Sequence, residues 1–480
     1  MAPRQSFDFL NRITGLAPIT APVFEGADPI IPTPFVAGEA AAASLGLSAS
    51  IAGEISRLRG GDRQIISIDL NAAASSLLSF AFIKRSGQGL VRPALDAPVV
   101  GLYRCNDGRW IHLHGGFPRQ WPRMLDLLNA SNTHEAVANA VAKWNSAALE
   151  DAIAFMKMCG AVVRSPDEWK DSVQGKALAN TPPIVIKKIG DAPPLRLAES
   201  SNPLDGVRVL DLTRVLAGPA CGRTLASYGA EVLNVRAERL DTIELFDLDT
   251  GQGKRSTFLD LVKPADAETL RRLVRDAHIF VDSYRPGALA RLGFTPASLA
   301  HIARGITYVS VSCYGHEGPW AGRRGWEQLA QSATGLAYEQ GAFNARREKK
   351  GEAPPALIPA ALCDYVTGYL AAAGAAAALL RRIREGGSWQ VQVSLSATAM
   401  WLQSLGTVSQ VPEHWNPFEG LDPYLRSCET EAGRLDFLGP VVRMSKTPPV
   451  WRRPPPIPGA DKPLWLDTHE DLHAPEKQSA

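Results

Sequence analysis

Two kinds of apolar pattern divide the chain. In the C-terminal half, short apolar or β-branched runs alternate with amphipathic ones. "GVRVLDL" reads as a strand, "RVLAGP" as a loop and "ACGRTLASYG" as a helix closed by Gly229. "AEVLNV", "HIFVDS" and "ITYVSVSCYG" read as further strands. "ETLRRLVRDA", "PGALARLG" (opened by Pro286) and "WEQLAQSATGL" read as helices. Strands alternating with helices predict an α/β fold: a Rossmann-like, largely parallel sheet with helices on both faces.

The N-terminal half is patterned differently. Residues 36–59 are rich in Ala, Ser and Leu and read as a helix ending at Gly60-Gly61. "RQIISIDLN" reads as a strand and "AAASSLLSFAF" as another helix. "VVGLYRCNDGRWIHLHGG" reads as a β-hairpin around Asn106-Asp107-Gly108. From Pro118 to Val163 the pattern is helical and amphipathic. "NTPPIVIKKIGDAPPLRLAESSNP" is Pro-rich and reads as a linker.

An internal echo crosses these halves. "RLRGGDRQIISIDLNAAASSLLS" (57–79) resembles "RIREGGSWQVQVSLSATAMWLQS" (382–404) with a slip of one residue. Both follow an Ala-rich helix. The pattern helix, Gly-Gly turn, strand, helix therefore occurs twice, which points to duplication.

Composition narrows the function classes. With 51 basic and 49 acidic residues among 480, the net charge of +2 predicts neither a broad nucleic-acid surface nor a membrane surface. The six cysteines (105, 159, 221, 313, 363, 428) stand singly, with no CxxC, so reduced thiols, no metal site and a cytoplasmic setting are expected. No signal-peptide run opens the sequence. The apolar run Tyr369–Leu380 is mostly Ala and too short to span a bilayer, so a buried helix is expected.

Within that apolar segment stands one acid, Asp364. It has two readings. As a helix N-cap it would accept N–H bonds from the next turn, although no Glu or Gln follows three residues on. As a carboxylate nucleophile it would sit where the helix dipole favours its anion. The "RVLAGPA" loop offers backbone N–H groups at a helix N-terminus, which suits a phosphate or diphosphate, or else is a plain turn. Lys254, Arg255, Arg285, Arg291, Arg323 and Arg324 recur at junctions of the same expected sheet, where such folds bind ligands. His112, His114 and His316 fit no metal spacing, and no GxSxG elbow is present.

These segments resemble a known family. "NPLDGVRVLDLTRVLAGPACGRTLASYGAEVLNV", "GKRSTFLDL", "VDSYRPGALARLGF", "YVSVSCYGHEGP", "QSATGL" and "IPAALCDYVTGYLAA" occur in order, from Pro203 to about Ser404. Together they resemble the class III CoA-transferases, whose members include formyl-CoA and carnitine CoA-transferases. The resemblance implies an acyl-CoA substrate, a carboxylic acid acceptor, coenzyme A as the carried group and an interlocked homodimer. Asp364 matches the family's catalytic aspartate. CoA contacts carry over to Leu216, Ala217, Leu259, Asp260, Leu261, Val262, Ser283, Tyr284, Arg285, Arg291, Arg324, Gly325, Trp326 and Glu327. Racemases of the same fold use a histidine base where this chain has Trp326 and Glu327, so transferase is the expected activity. A racemase or isomerase and a non-catalytic CoA-binding subunit are the alternatives.

The resemblance also implies departures. Ala237 replaces a CoA-site arginine and Val262 replaces a lysine. The resemblance implies a second, smaller α+β domain beside the sheet; residues 90–170 resemble it, yet they precede the Asp-bearing half instead of following it. The expected organisation is an irregular leader (1–35), a region resembling the back half of one family copy (36–176), a linker (177–203), the CoA-binding α/β domain (204–410) and a C-terminal tail (411–480).

Overall fold

The computed structural model of the chain describes residues 2–90, 97–285, 287–349, 351, 354–410 and 415–466. It opens with helix α1 (Pro3–Ile13), where Pro3 occupies the first turn with its φ preset. Phe7 and Leu10, three apart, face inward and are fully buried, while Arg4 and Asp8 pair on the outer side at 3.0 Å. Strand β1 (Val23–Glu25) follows, so residues 1–35 are not an irregular leader.

Next come α2 (Ala37–Leu58) and β2 (Ile66–Asp69), which continues into a short helical stretch through Phe82. The small domain is built on β3 (Val100–Arg104) and β4 (Trp110–His114), the expected hairpin, with β5 (Gly160–Val162) added antiparallel. β5 lies in a segment read from sequence as wholly helical. Three apolar positions are too few for a period of two to show against the helices around them.

The Pro-rich segment 177–203 is more than a linker. It contributes β6 (Val185–Gly190), an antiparallel edge strand of the main sheet. "IVIKKI" has the β-branched run of a strand, and its flanking prolines fit an edge position. The main sheet continues with β7 (Arg208–Leu212), helix α3 (Ala217–Ser227), β8 (Glu231–Arg236), β9 (Lys254–Phe258), β10 (Ile279–Asp282) and β11 (Thr307–Ser312). Then follow α4 (Glu327–Thr334), α5 (Leu362–Glu385), β12 (Ser388–Ser394) and α6 (Leu395–Ser404). Pro286, read as a helix start, lies outside the described residues; the described part of that segment forms a 3-10 turn at Ala290–Leu292.

The strand order is β9-β8-β7-β10-β11-β12-β6, parallel except for β6. By position among the parallel strands this is 3-2-1-4-5-6, the doubly wound order, which reverses between β7 and β10.

Residues 36–176 do not form one unit. The part through Phe82 joins the main core, and the part from 97 holds a separate small core around Ile111, Leu113 and Val137. α2 packs along α5, and both are almost wholly small or apolar on the shared side. Gly368 shows why small residues matter: a Cβ there would lie 2.6 Å from the Ala217 carbonyl oxygen of α3. α5 is long and apolar enough by composition to cross a bilayer, but its apolar window is fully buried in the protein.

The stretch after 410 is not a loose tail. Leu425–Thr430 and Gly433–Leu438 pair as a hairpin, and β13 (Val442–Met444) pairs with β2. Arg255 reaches Asp461 at 3.2 Å, and the Trp465 indole donates to the Leu273 carbonyl at 3.0 Å.

Candidate active site

The point of strand reversal carries the site. Asp211, at the end of β7, orients the following loop. Its Oδ1 accepts the Thr213 N–H at 3.1 Å, and its Oδ2 meets Lys254 Nζ at 2.6 Å in a fully buried pair. Val215 then adopts φ +75°, a left-handed conformation costly for a β-branched residue. That turn delivers Leu216 and Ala217 to the start of α3.

After β10, Asp282 plays the corresponding part. It accepts the Tyr284 N–H at 2.7 Å and the Tyr308 hydroxyl at 2.8 Å, and burial pushes its pKa up to about 6. Ser283, Tyr284 and Arg285 therefore leave the sheet in a fixed direction, beside the β7 loop.

α4 and α5 bring the two acids of the site together. Glu327 is buried at the first turn of α4. Its Oε1 accepts from Gln331 at 2.7 Å and from the Cys363 N–H at 3.1 Å, and its Oε2 accepts the Asp364 N–H at 2.6 Å. Glu327 thus satisfies two of the orphan donors that begin α5. The N-cap residue proper is Ala361, which has no side-chain acceptor. Asp364 is the third residue of α5, so the N-cap reading is overturned: the capping carboxylate comes from another helix.

Asp364 is therefore free for other use. Its carboxylate accepts no hydrogen bond from the described residues, and it is 8% exposed, at the wall of a cavity of about 510 Å³. Burial, and then the neighbouring Glu327, raise its pKa well above the usual carboxylate range. Burial likewise pushes Glu327 up to about 7. Each acid's negative charge disfavours ionisation of the other.

The remainder of the cavity is cationic and aromatic. Arg214, Arg239, Arg285, Arg323 and Arg324 line it. Arg324 donates to Gln120 Oε1 at 3.2 Å, while the Arg285 guanidinium makes no hydrogen bond or ion pair with a described residue. Arg214 donates to the Asp241 carbonyl at 2.8 Å and lies over the rings of Phe117 and Tyr284. Trp326 stacks on His114, with ring centres 4.4 Å apart. Phe117, Gln120 and Cys159 come from the small domain, so both domains build the wall.

Of the residues carried over from the resemblance, Leu216, Ala217, Ser283, Tyr284, Arg285, Arg324, Gly325, Trp326 and Glu327 meet Asp364 around this cavity. Leu259, Asp260, Leu261, Val262 and Arg291 do not line it. Leu259 is packed into the helix-covered core, and Val262 is exposed to solvent. Asp260 reaches the wall only through Arg239, at 2.8 Å. Arg291 sits in the exposed 3-10 turn. Lys254 and Arg255 are spent in buried ion pairs with Asp211 and Glu231.

Arg214, Arg239, Phe117, Gln120 and Cys159 were missed. Arg214 and its loop motif were visible in sequence, but nothing there showed which way the guanidinium turns. The three small-domain residues reach the site by packing alone. Among the described residues no three His, Cys, Asp or Glu side chains gather as a metal site.

A doubly wound sheet with a cationic cavity at its switch point places a ligand site where such folds carry one, with a buried carboxylate at its wall. The chain belongs to CoA-transferase family III, whose model matches it in two segments, residues 2–191 and 204–420. It is 32% identical over 420 residues to an acyl-CoA transferase of Gibberella moniliformis, covering 78% of this chain and 72% of that protein. It is 32% identical over 337 residues to an acetyl-coenzyme A transferase of Hypoxylon pulicicidum, covering 65% of this chain and 56% of the relative. A formyl-CoA:oxalate CoA-transferase of Escherichia coli is 28% identical over 239 residues, 45% of this chain and 56% of the relative. A crystal structure of Rv3272 from M. tuberculosis aligns at 31% identity with a TM-score of 0.39, covering 42% of this chain and 57% of that one. The chain thus spans about half the length of several relatives it matches.

Proposed function

We propose that this chain moves coenzyme A from an acyl-CoA thioester to a carboxylic acid, with Asp364 as the covalent carrier. The observation that carries the reading is a buried carboxylate with no hydrogen-bond donor, facing a cavity rich in arginine.

An Asp364 oxygen attacks the thioester carbonyl. The C–S bond breaks, giving a mixed anhydride and CoA thiolate. The thiolate then attacks the aspartyl carbonyl, and the donor acid leaves. The acceptor carboxylate attacks the resulting aspartyl-CoA thioester, forming a second anhydride and releasing thiolate once more. Thiolate attack at the acceptor's acyl carbon gives the new acyl-CoA and returns Asp364. Each step exchanges one acyl bond for another, so no water or redox partner is consumed.

The chain's residues support each demand. Arg285 and Arg324 offer guanidinium forks for the phosphates of CoA. Capping by Glu327 leaves Asp364 unbound and pointed at the cavity. Trp326 and Phe117 give the cavity an aromatic wall beside its arginines.

A racemase needs a base beside the thioester α-carbon. His114, whose ring stacks on the cavity-lining Trp326, is held below the range of a useful base: burial pushes its pKa to about 3, and its Nδ1 accepts the Gly116 N–H. Transfer is therefore favoured. The test is CoA exchange between a panel of thioesters and carboxylates. Wild type should exchange, and Asp364→Asn should not. Exchange by the Asn variant would end the proposal.

A further inference from the structure

The internal echo extends well beyond the segments where it shows in sequence. α2 and α5 each run into a Gly-Gly turn, a strand and a helical stretch. Each of those strands has a parallel neighbour, β1 for β2 and β11 for β12. Ahead of each helix an Ile-Pro turn closes in the same way: Thr33 N–H to the Ile31 carbonyl and Ala360 N–H to the Ile358 carbonyl, both 2.7 Å. The N-cap residues Val36 and Ala361 share one backbone conformation, φ −83°, ψ 67° and φ −82°, ψ 58°.

The acids repeat as well. Asp28, just beyond β1, accepts the Gly38 N–H at 3.2 Å and the Glu39 N–H at 2.7 Å. This is the pattern by which Glu327 holds Cys363 and Asp364. Glu39 is the third residue of α2, as Asp364 is of α5. Both are buried carboxyls.

The two places differ in what lies in front of the acid. Asp364 faces the cavity. Glu39 faces α1: it accepts the Ser6 hydroxyl at 2.5 Å and is 3% exposed, and α1 packs on α2 with Phe7 and Leu10 fully buried.

We infer that the start of α2 is a second copy of the carboxylate site, shut by α1, so that each chain carries one working carboxylate and one sealed counterpart. The open site is walled by both domains of the same polypeptide, so one chain suffices to form it. The inference deepens the reading of Asp364 as nucleophile and rests on it for the word "working".

The experiment uses the full chain and dicyclohexylcarbodiimide, an apolar reagent that adds to protonated carboxyls, with peptide mass spectrometry as readout. Asp364 should be modified at least about ten-fold faster than Glu39, because only local opening exposes the latter. Free CoA should slow the reaction at Asp364 alone. Phe7→Ala/Leu10→Ala should raise the Glu39 rate by about ten-fold or more while CoA still protects Asp364, which shows that the variant is folded. If that pair unfolds the chain, Ser6→Ala replaces it.

Equal rates at the two acids in wild type, or an unchanged Glu39 rate in the folded variant, would overturn the inference. Titration calorimetry with free CoA should give one site per chain. Two sites would mean that the second is open, and half a site that two chains are needed. Retained exchange in Asp364→Asn would instead sink the nucleophile reading and leave the Glu39 result standing.

Discussion

At the scale of single residues, the proposed chemistry depends on Asp364 having nothing to do in the fold. Glu327 takes the capping duty with both oxygens, and the aspartate is left buried and unbonded. Removing a nucleophile costs a group-transfer enzyme about 10⁴-fold or more in rate, so Asp364→Asn should lose at least that in exchange assays.

The same variant should gain stability. A carboxyl whose pKa is raised by folding holds its proton more tightly folded than unfolded. Stability therefore falls as pH rises above the ordinary carboxylate range, and goes on falling until the buried carboxyl itself ionises. Melting curves should show Asp364→Asn more stabilising at pH 8 than at pH 5. The opposite trend would mean that the acid is not buried in solution.

Glu327→Gln removes a neighbouring charge, so Asp364 ionises more readily, and the acid limb of the pH–rate profile should move to lower pH. The amide can accept only with its one oxygen, so the variant should also lose roughly 1 kcal/mol in denaturant titration. Arg324→Ala should raise KM for acyl-CoA by about 10- to 100-fold, the worth of one charge-assisted hydrogen bond, with a smaller change in kcat.

At the scale of elements, the site depends on how closely α3, α5 and α2 approach. Gly368→Ala would drive a methyl into the Ala217 carbonyl and Ala220. It should destabilise the chain by about 1–3 kcal/mol and shift the β7 loop with α3, which thermal melts and CoA binding would register together. An unchanged melt would show that the helices have room to part.

β7, β8, β10, β11 and β12 were readable as apolar or β-branched runs, whereas β9, with Lys, Arg, Ser and Thr in its five positions, was not. β5 and β6 were not readable: one is three residues long, and the other lies between prolines that read as a linker. The N-cap reading of Asp364 failed because a local rule cannot see a carboxylate arriving from a helix 37 positions earlier in sequence. Asp364 itself was legible, since an acid in so apolar a run calls for a reason.

At the scale of the whole molecule, the two halves are not separable. α2 covers α5, β6 completes the sheet, and the last described residues close over β9 and the helix before β10. The fragment 204–480 expressed alone should therefore be insoluble or molten, because it exposes the face of α5 that α2 buries. A cooperative melt from that fragment would contradict this. Reordered parts need not mean a lost activity: the cavity draws Phe117, Gln120 and Cys159 from the first half and its arginines from the second. Sequence showed the reversal of the parts, but only packing showed that the small domain folds back onto the switch point.

The most direct measurement is to trap the covalent intermediate. The chain is incubated with acyl-CoA thioesters that it turns over, quenched with hydroxylamine, digested and read by mass spectrometry. The account predicts a hydroxamate on Asp364 and on no other carboxyl. A hydroxamate elsewhere, or an unmodified Asp364 in a preparation that is turning over, would contradict it.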